Sequence, residues 1–161
     1  VTPQAEAESS TVPSFDSTIE REVFDQLLEM DDEDDRTFSQ EIVWNFFEQA
    51  TSTFADMDTA LEEKDLAKLS TLGHFLKGSS AAVGVAHVRD LCEAMQHLGK
   101  LHDESGVEDI SREEALSKLQ TTIKDVKARY QDAEAVLKKF YEDEGMPGGP
   151  DGADEGEEED D

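Results

Sequence analysis

His74, Lys77 and Gly78 lie within one octapeptide, Gly-His-Phe-Leu-Lys-Gly-Ser-Ser, at residues 73–80. Spacings of three and four residues bring the lysine and the glycine close to the histidine on a helix surface. A neutral imidazole is a good nucleophile near neutral pH, and an ammonium group beside it can partly neutralise a phosphoryl group. Glycine leaves the surface next to the imidazole open. Together these residue types predict a histidine that carries phosphate.

The helix around His74 has an apolar face that predicts where the imidazole points. At about 100° per residue, the predicted core residues fall in one sector, and His74 lies roughly 180° from its centre. We therefore expect an exposed imidazole. Gly78 lies one turn later, where glycine costs roughly 0.5–1 kcal/mol relative to alanine, so access for a partner protein is a reason to keep it. The predicted core sector consists of Leu69, Leu72, Leu76, Ser79 and Val83.

Three further residues extend this candidate site. Gly73 precedes the histidine and is expected to trim more bulk beside it. Gln96 and Lys100 lie four residues apart on the flank of the next predicted helix. If the two helices are antiparallel neighbours, this flank approaches His74, and Gln96 can then hydrogen-bond the imidazole or the phosphoryl group.

Hydrophobic periodicity predicts five helices, here called A to E, and almost no strand. No proline occurs between Phe15 and Met146, which permits long helices. Helices B to E are long and amphipathic, so we predict an all-α fold: an antiparallel four-helix bundle with an additional N-terminal helix packed across one end. The predicted helices cover about residues 16–30, 37–62, 65–83, 86–101 and 111–142.

Particular residues predict where the helices and the domain end. Asp16 or Ser17 can cap helix A, Gly84 can terminate helix C, and Ser111 can open helix E with Glu114 three residues later. The helical domain is predicted at residues 15–142. Residues 1–14 are predicted to be a disordered N-terminal segment and residues 143–161 a disordered acidic tail, because both lack an apolar period.

The charge of the chain limits its partners. Its 41 acidic and 14 basic residues give a net charge of −27, which excludes a general nucleic-acid binder and argues against anionic membrane surfaces. A single cysteine, Cys92, permits no intramolecular disulfide. With no apolar run of about 18 residues and no leader segment, we expect a soluble intracellular protein. The sequence also lacks a glycine-rich phosphate loop, so we expect no ATP binding.

The stretch from His74 to Gly84, HFLKGSSAAVG, resembles the signature of histidine-containing phosphotransfer (HPt) proteins. It is most similar to the fungal phosphorelay intermediates of the budding-yeast osmosensing type. The likeness continues through residues 91–93 and 96–100, and upstream at residues 29–32 and 54–57. It covers about residues 18–141 and leaves both ends of the chain outside.

The resemblance implies a histidine phosphotransfer intermediate of a multistep His-Asp phosphorelay. In that family role, His74 is phosphorylated, Lys77 steadies the phosphoryl group, Gly78 gives access and Gln96 orients the imidazole. Lys100 stands where the family often has arginine, and lysine keeps the charge but loses the planar fork. The resemblance also implies that receiver domains dock on an apolar patch made of Val23, Leu27, Met30, Phe38, Ile42 and Phe75.

The same resemblance sets expectations for partners and cofactors. The partners would be the receiver domains of a hybrid sensor histidine kinase and of response regulators, with no nucleic acid and no membrane. No cofactor of its own is expected, and magnesium is expected on the partner receiver domain. We further expect a monomer in the cytoplasm and nucleus, without autonomous kinase activity.

Other interpretations start from the same residues. An acidic helical interaction module, such as a chaperone for basic proteins, is the alternative that the C-terminal tail motivates. His87, His97 and His102 are expected to be ordinary surface histidines, and no tight ligand spacing predicts a metal site. The acidic run at residues 31–35 lacks the glycine and terminal glutamate of an EF-hand loop. Gly78 could instead mark a close approach between helices.

Overall fold

Helices form nearly all of the structure, a computed structural model that describes residues 15–32 and 35–145. None of its helices is long and apolar enough to cross a membrane. Of the segments predicted to be disordered, residues 1–14 and 146–161 lie outside this described part, whereas Asp143 is the last residue of a helix. Six helices occur within it: α1 (Phe15–Thr18), α2 (Arg21–Leu28), α3 (Thr37–Glu62), α4 (Leu66–Val83), α5 (Ala86–Gly99) and α6 (Arg112–Asp143).

Helices α3 to α6 form the antiparallel bundle that periodicity predicts. Each packs on the next along the chain, and α3 also packs on α6, so the four close around one core. Helix α1 packs on α6 and α2 packs on α4, which places both at one end of the bundle. The all-α prediction is therefore confirmed. The fully buried side chains of the core include Val43, Met57, Leu69, Leu76, Met95, Leu98, Leu119 and Leu137.

Local capping residues set several helix ends as predicted. The Asp65 carboxylate accepts the Lys68 N–H at 3.1 Å at the start of α4. The Ser111 hydroxyl accepts the Glu114 N–H at 3.1 Å at the start of α6. Gly84 ends α4 with a φ of 90°, a left-handed conformation that favours glycine. The predicted ends of these two helices agree with the structure within one or two residues, because capping bonds join residues that are close in the sequence.

The prediction of one continuous helix A is wrong. The chain forms α1 and α2, separated at Glu20, whose φ and ψ of −74° and 104° are extended. Its N–H donates to the Gly84 carbonyl at 2.7 Å, and its carboxylate accepts from Arg89 at 2.9 Å. The predicted caps Asp16 and Ser17 lie inside α1, which begins at Phe15. The break exists because Glu20 bonds the α4–α5 turn instead of continuing the helix.

The core face of α4 is also rotated from the predicted sector, by roughly 60°. Leu72 and Ser79 are only half-buried, whereas Ser70, Gly73 and Ser80 are buried. The prediction followed the leucines and gave too little weight to small residues. These small residues face α5, where they let two helices approach closely. As a result, His74 lies on the flank of α4 beside α5.

Gly73 has a different role from the predicted one. A Cβ atom there would lie 2.8 Å from the Cys92 carbonyl oxygen and 3.3 Å from the Gln96 nitrogen, so the glycine allows backbone contact between α4 and α5. Gly99 does the same from α5, since a Cβ there would lie 2.7 Å from the Leu66 carbonyl oxygen. Gly73 therefore sets the distance between the helices and does not trim bulk around the imidazole.

A comparison of two glycine-to-alanine variants tests this assignment. Gly73→Ala should destabilise the protein by about 1–3 kcal/mol, because the new methyl group overlaps backbone atoms of α5. Gly78→Ala should stabilise it by roughly 0.5–1 kcal/mol, because its Cβ would meet nothing within 4 Å. Urea unfolding of both variants measures the difference. Equal stability of the two variants would contradict the close-approach role of Gly73.

Candidate functional site

The site is built around His74, which is exposed on the flank of α4. Its Nδ1 atom lies 3.2 Å from the side-chain amide nitrogen of Gln96 on α5. This contact crosses the tight α4–α5 interface, where the Ser70 hydroxyl also donates to the Gln96 carbonyl oxygen at 3.0 Å. The backbone and the side chain of Gln96 are thus both held against α4. The antiparallel arrangement expected from the sequence brings this glutamine to the imidazole.

The amide of Gln96 can control which nitrogen of His74 reacts. A glutamine amide can donate through its nitrogen or accept through its oxygen, and a half-turn of the amide exchanges the two atoms. When the oxygen faces Nδ1, it accepts the Nδ1 proton and leaves the Nε2 lone pair free. Nε2 is the nitrogen that Gln96 does not contact, so it is available to a reacting group in solvent.

Two lysines and one glycine lie about one helical turn from His74 or from Gln96 along their helices. Lys77 is half-buried one turn along α4, and Lys100 is exposed one turn beyond Gln96. Neither lysine forms an ion pair with a carboxylate among residues 15–32 and 35–145, so both ammonium groups can attract an anion. Gly78 is exposed, and a Cβ there would meet no atom within 4 Å. The alternative of Gly78 as a helix contact is therefore wrong.

The predicted docking residues lie at the α2 and α3 end of the bundle and along α4. Met30, Phe38 and Phe75 have exposed fractions of 65%, 45% and 48%. Val23 and Ile42 are half-buried. Leu27 is only 7% exposed and serves mainly the core, because it faces inward from α2. We call Val23, Met30, Phe38, Ile42 and Phe75 the docking surface, and its role in docking stays a prediction.

The sequence did not predict a polar contact between α3 and α4 beside the docking surface. The Ser79 hydroxyl donates to the Gln49 side-chain oxygen at 3.0 Å and joins α4 to α3. Both residues line a surface groove of about 260 Å³ together with Ile42, Phe46 and Val83. The groove therefore includes one residue of the docking surface, Ile42, and extends to the Ser79–Gln49 pair. Two polar residues on different helices gave no sequence signal, since their pairing depends on how α3 packs on α4.

Other candidate reactive groups are accounted for. Cys92 is buried behind Gly73, and burial raises the pKa of its thiol to about 12, so it stays neutral and acts in packing. A ring nitrogen of His87 lies 3.1 Å from the Ser17 carbonyl oxygen, and one of His102 lies 3.1 Å from the Asp109 carboxylate. No group of His, Cys, Asp and Glu side chains in the described part of the chain could hold a metal ion.

Comparison with known proteins decides the family. The profile of the Hpt domain matches residues 41–134, which include α4, α5 and most of α3 and α6. The chain belongs to the Hpt domain family. Its sequence is 53% identical over 125 residues to multistep phosphorelay regulator 1 of Schizosaccharomyces pombe, covering 77% of this chain and 42% of that protein. The phosphorelay intermediate protein YPD1 of Saccharomyces cerevisiae is 45% identical over 92 residues, covering 56% of this chain and 53% of that protein.

Solved structures of Hpt proteins share the fold. The crystal structure of yeast Ypd1p matches with a TM-score of 0.68 at 29% identity, over 81% of this chain and 96% of that one. A second match is a co-crystal structure of Ypd1 from Saccharomyces cerevisiae with the receiver domain of its downstream response regulator Ssk1. It has a TM-score of 0.68 at 31% identity, over 78% of this chain and 95% of that one. This Hpt chain spans about half the length of the two relatives named above.

The contact between Gln96 and His74 predicts a specific effect on reactivity. Gln96→Met keeps the length of the side chain but removes the amide that holds Nδ1. We expect phosphorylation by the small donor phosphoramidate to slow by about 3- to 10-fold, which corresponds to one net hydrogen bond of roughly 0.5–1.5 kcal/mol. Label incorporation measures the rate, and ¹⁵N NMR of the imidazole measures which nitrogen carries the proton.

Gln120→Met is the matched control, because Gln120 is exposed on α6. It should react at the rate of the unsubstituted chain. If Gln96→Met changed neither the phosphorylation rate nor the imidazole tautomer, the result would contradict the orienting role of the amide.

Proposed function

We propose that this chain is a histidine phosphotransfer intermediate of a multistep His-Asp phosphorelay. It accepts phosphate on His74 from the aspartyl phosphate of one receiver domain and passes it to the aspartate of a response regulator. The observation that carries the proposal is the exposed imidazole with Nδ1 held by Gln96 at 3.2 Å and open space at Gly78. The names of the fungal relatives, a phosphorelay regulator and a phosphorelay intermediate, support the same role.

The transfer step is a nucleophilic displacement at phosphorus. The Nε2 lone pair of His74 forms the new P–N bond while the P–O bond to the partner's aspartate breaks, and that carboxylate leaves with the electron pair. With the Gln96 amide turned so that its oxygen faces Nδ1, that oxygen accepts the Nδ1 proton, which stays on the ring. Lys77 and Lys100 offset part of the negative charge of the phosphoryl group. Transfer to the next receiver domain reverses the same step.

The partner would supply the rest of the active site. In this proposal the receiver domain brings the aspartate and the magnesium ion, because no group of His, Cys, Asp and Glu side chains in the part of the chain that the structure describes could hold a metal. The chain therefore acts as a carrier without autonomous kinase activity. The receiver domains of a hybrid sensor kinase and of response regulators would use the same docking surface in turn. A monomer working in both cytoplasm and nucleus fits this role.

His74→Gln tests the proposal. Incubation of the full chain with the phosphorylated receiver domain of Ssk1 and magnesium should transfer label to the unsubstituted protein as acid-labile phosphohistidine. His74→Gln should take up less than about 1% of that label, because an amide is not a nucleophile. His87→Gln, which changes an exposed histidine on α5, is the matched control and should label normally.

Two results would overturn the proposal: normal labelling of His74→Gln, or label that survives acid. The alternative function as an acidic chaperone for basic proteins predicts a different pattern. In that case, removal of residues 146–161 abolishes partner binding and His74→Gln has no effect. Circular dichroism of each variant establishes that the helical fold is intact.

A further inference from the structure

A buried chain of hydrogen bonds joins the C-terminal end of α6 to the loop between α2 and α3. The Tyr141 hydroxyl lies 2.7 Å from the Ser39 hydroxyl, which donates to the Asp31 carboxylate at 2.7 Å. The other oxygen of that carboxylate accepts the Ser39 backbone N–H, also at 2.7 Å. Tyr141 and Ser39 are fully buried, and the Asp31 side chain is 1% exposed. We call these three residues the Tyr141 network.

The donors in the Tyr141 network have a fixed order. A serine hydroxyl has one proton, and Ser39 gives it to Asp31, so the Tyr141 hydroxyl must donate to the Ser39 oxygen. Burial raises the pKa of Tyr141 to about 12, which keeps that proton in place. The Arg36 guanidinium lies 3.6 Å from the Asp31 carboxylate and balances its charge. A buried network of this kind holds its members in one arrangement because each bond polarises the next.

The Tyr141 network ties the end of one helix to the start of another. The Asp31 N–H donates to the Leu28 carbonyl at 3.0 Å, so Asp31 closes the last turn of α2. Ser39 is the third residue of α3, and its N–H is one of the amide donors that a helix start leaves without a helical partner. The Asp31 carboxylate therefore caps α3, although Asp31 lies eight residues before Ser39 in the chain. It also places negative charge at the positive end of the helix dipole.

Two residues of the docking surface are the direct neighbours of this network. Met30 precedes Asp31 and Phe38 precedes Ser39. Both are large, apolar and exposed, and both line one surface pocket of about 370 Å³ together with Thr37 and Glu41. Exposed apolar side chains on a helix end and a loop have little packing of their own to hold them. Their spacing depends on the backbone that the network holds.

We propose that Asp31, Ser39 and Tyr141 are positioning residues for receiver docking: the C-terminal turn of α6 sets the spacing of Met30 and Phe38 through the Tyr141 network. The inference rests on the proposed phosphotransfer function and adds to it a role for the end of α6. Tyr141 acts through Ser39 and Asp31 and touches neither His74 nor the partner. Its loss should weaken recognition of the partner and leave the chemistry at His74 unchanged.

Tyr141→Phe tests this, because it removes only the hydroxyl. The full chain is first loaded on His74 with phosphoramidate and then mixed with the receiver domain of Ssk1 and magnesium. Transfer rates over a range of receiver concentrations give the half-saturating concentration and the maximal rate. We expect the half-saturating concentration to rise about 3- to 10-fold, the size of one net hydrogen bond, with the maximal rate and the loading rate unchanged.

Tyr130→Phe is the matched control. It removes a buried hydroxyl from the same helix, 3.5 Å from the Phe47 carbonyl oxygen in the middle of the bundle, away from Asp31. It should leave the half-saturating concentration unchanged, even if urea unfolding shows an equal loss of stability. When Phe38→Ala is already present, adding Tyr141→Phe should raise the half-saturating concentration by a smaller factor than it does in the unsubstituted chain. The effects of residues that act through one another are not additive.

Each other outcome has a definite meaning. A half-saturating concentration equal to that of the unsubstituted chain in Tyr141→Phe overturns the inference, as does an equal rise in Tyr130→Phe. A slower phosphoramidate reaction in Tyr141→Phe also overturns it, since the network would then act on His74 itself. If the unsubstituted chain fails to pass phosphate to the receiver domain, the proposed function fails and the inference with it.

Discussion

The backbone contact between α4 and α5 is the constraint on which the site depends. Gly73 and Gly99 have no side chain at the two points where the backbones approach, and the Ser70 hydroxyl bonds from α4 to α5. This closeness is what allows Gln96 to reach His74. A Cβ atom at Gly73 or Gly99 would lie 2.8 or 2.7 Å from a backbone oxygen of the facing helix, so the helices would have to move apart, and hydrogen bonds weaken as they lengthen. The hydrogen bond that orients the imidazole therefore depends on how closely α4 and α5 pack.

The surface around His74 contains a nucleophile and cations, while no group of His, Cys, Asp and Glu side chains among residues 15–32 and 35–145 could hold a metal ion. His74 is exposed, Lys77 and Lys100 are close along their helices, and Gly78 leaves room for a partner. Phosphoryl transfer depends mainly on positioning and electrostatic stabilisation, which two proteins can divide between them. An open site of this kind leaves the imidazole accessible to a second protein.

The docking surface is held by contacts at both of its ends. At one end, Glu20 leaves the helical path to bond Gly84 and Arg89, and this directs α2 along α4. At the other end, the Asp31 carboxylate joins α2 to α3 and is itself bonded through Ser39 to Tyr141. Buried polar groups are costly unless they are paired, so the paired network favours a single arrangement of Asp31 relative to the start of α3.

The sequence by itself determined the helices, several of their ends and the exposed histidine. Hydrophobic periodicity and capping act over a few residues, so Gly84 and Ser111 could be assigned correctly. The tertiary structure alone decided the break at Glu20, the rotated core face of α4 and the role of Gly73. It also brought Gln96 to His74, a contact that the sequence predicted only on the condition that the two helices are antiparallel neighbours. The contact of Tyr141 with Ser39, which joins residues 102 positions apart, had no sequence signal. Such contacts depend on how closely whole helices pack, and that distance is a property of the assembled core.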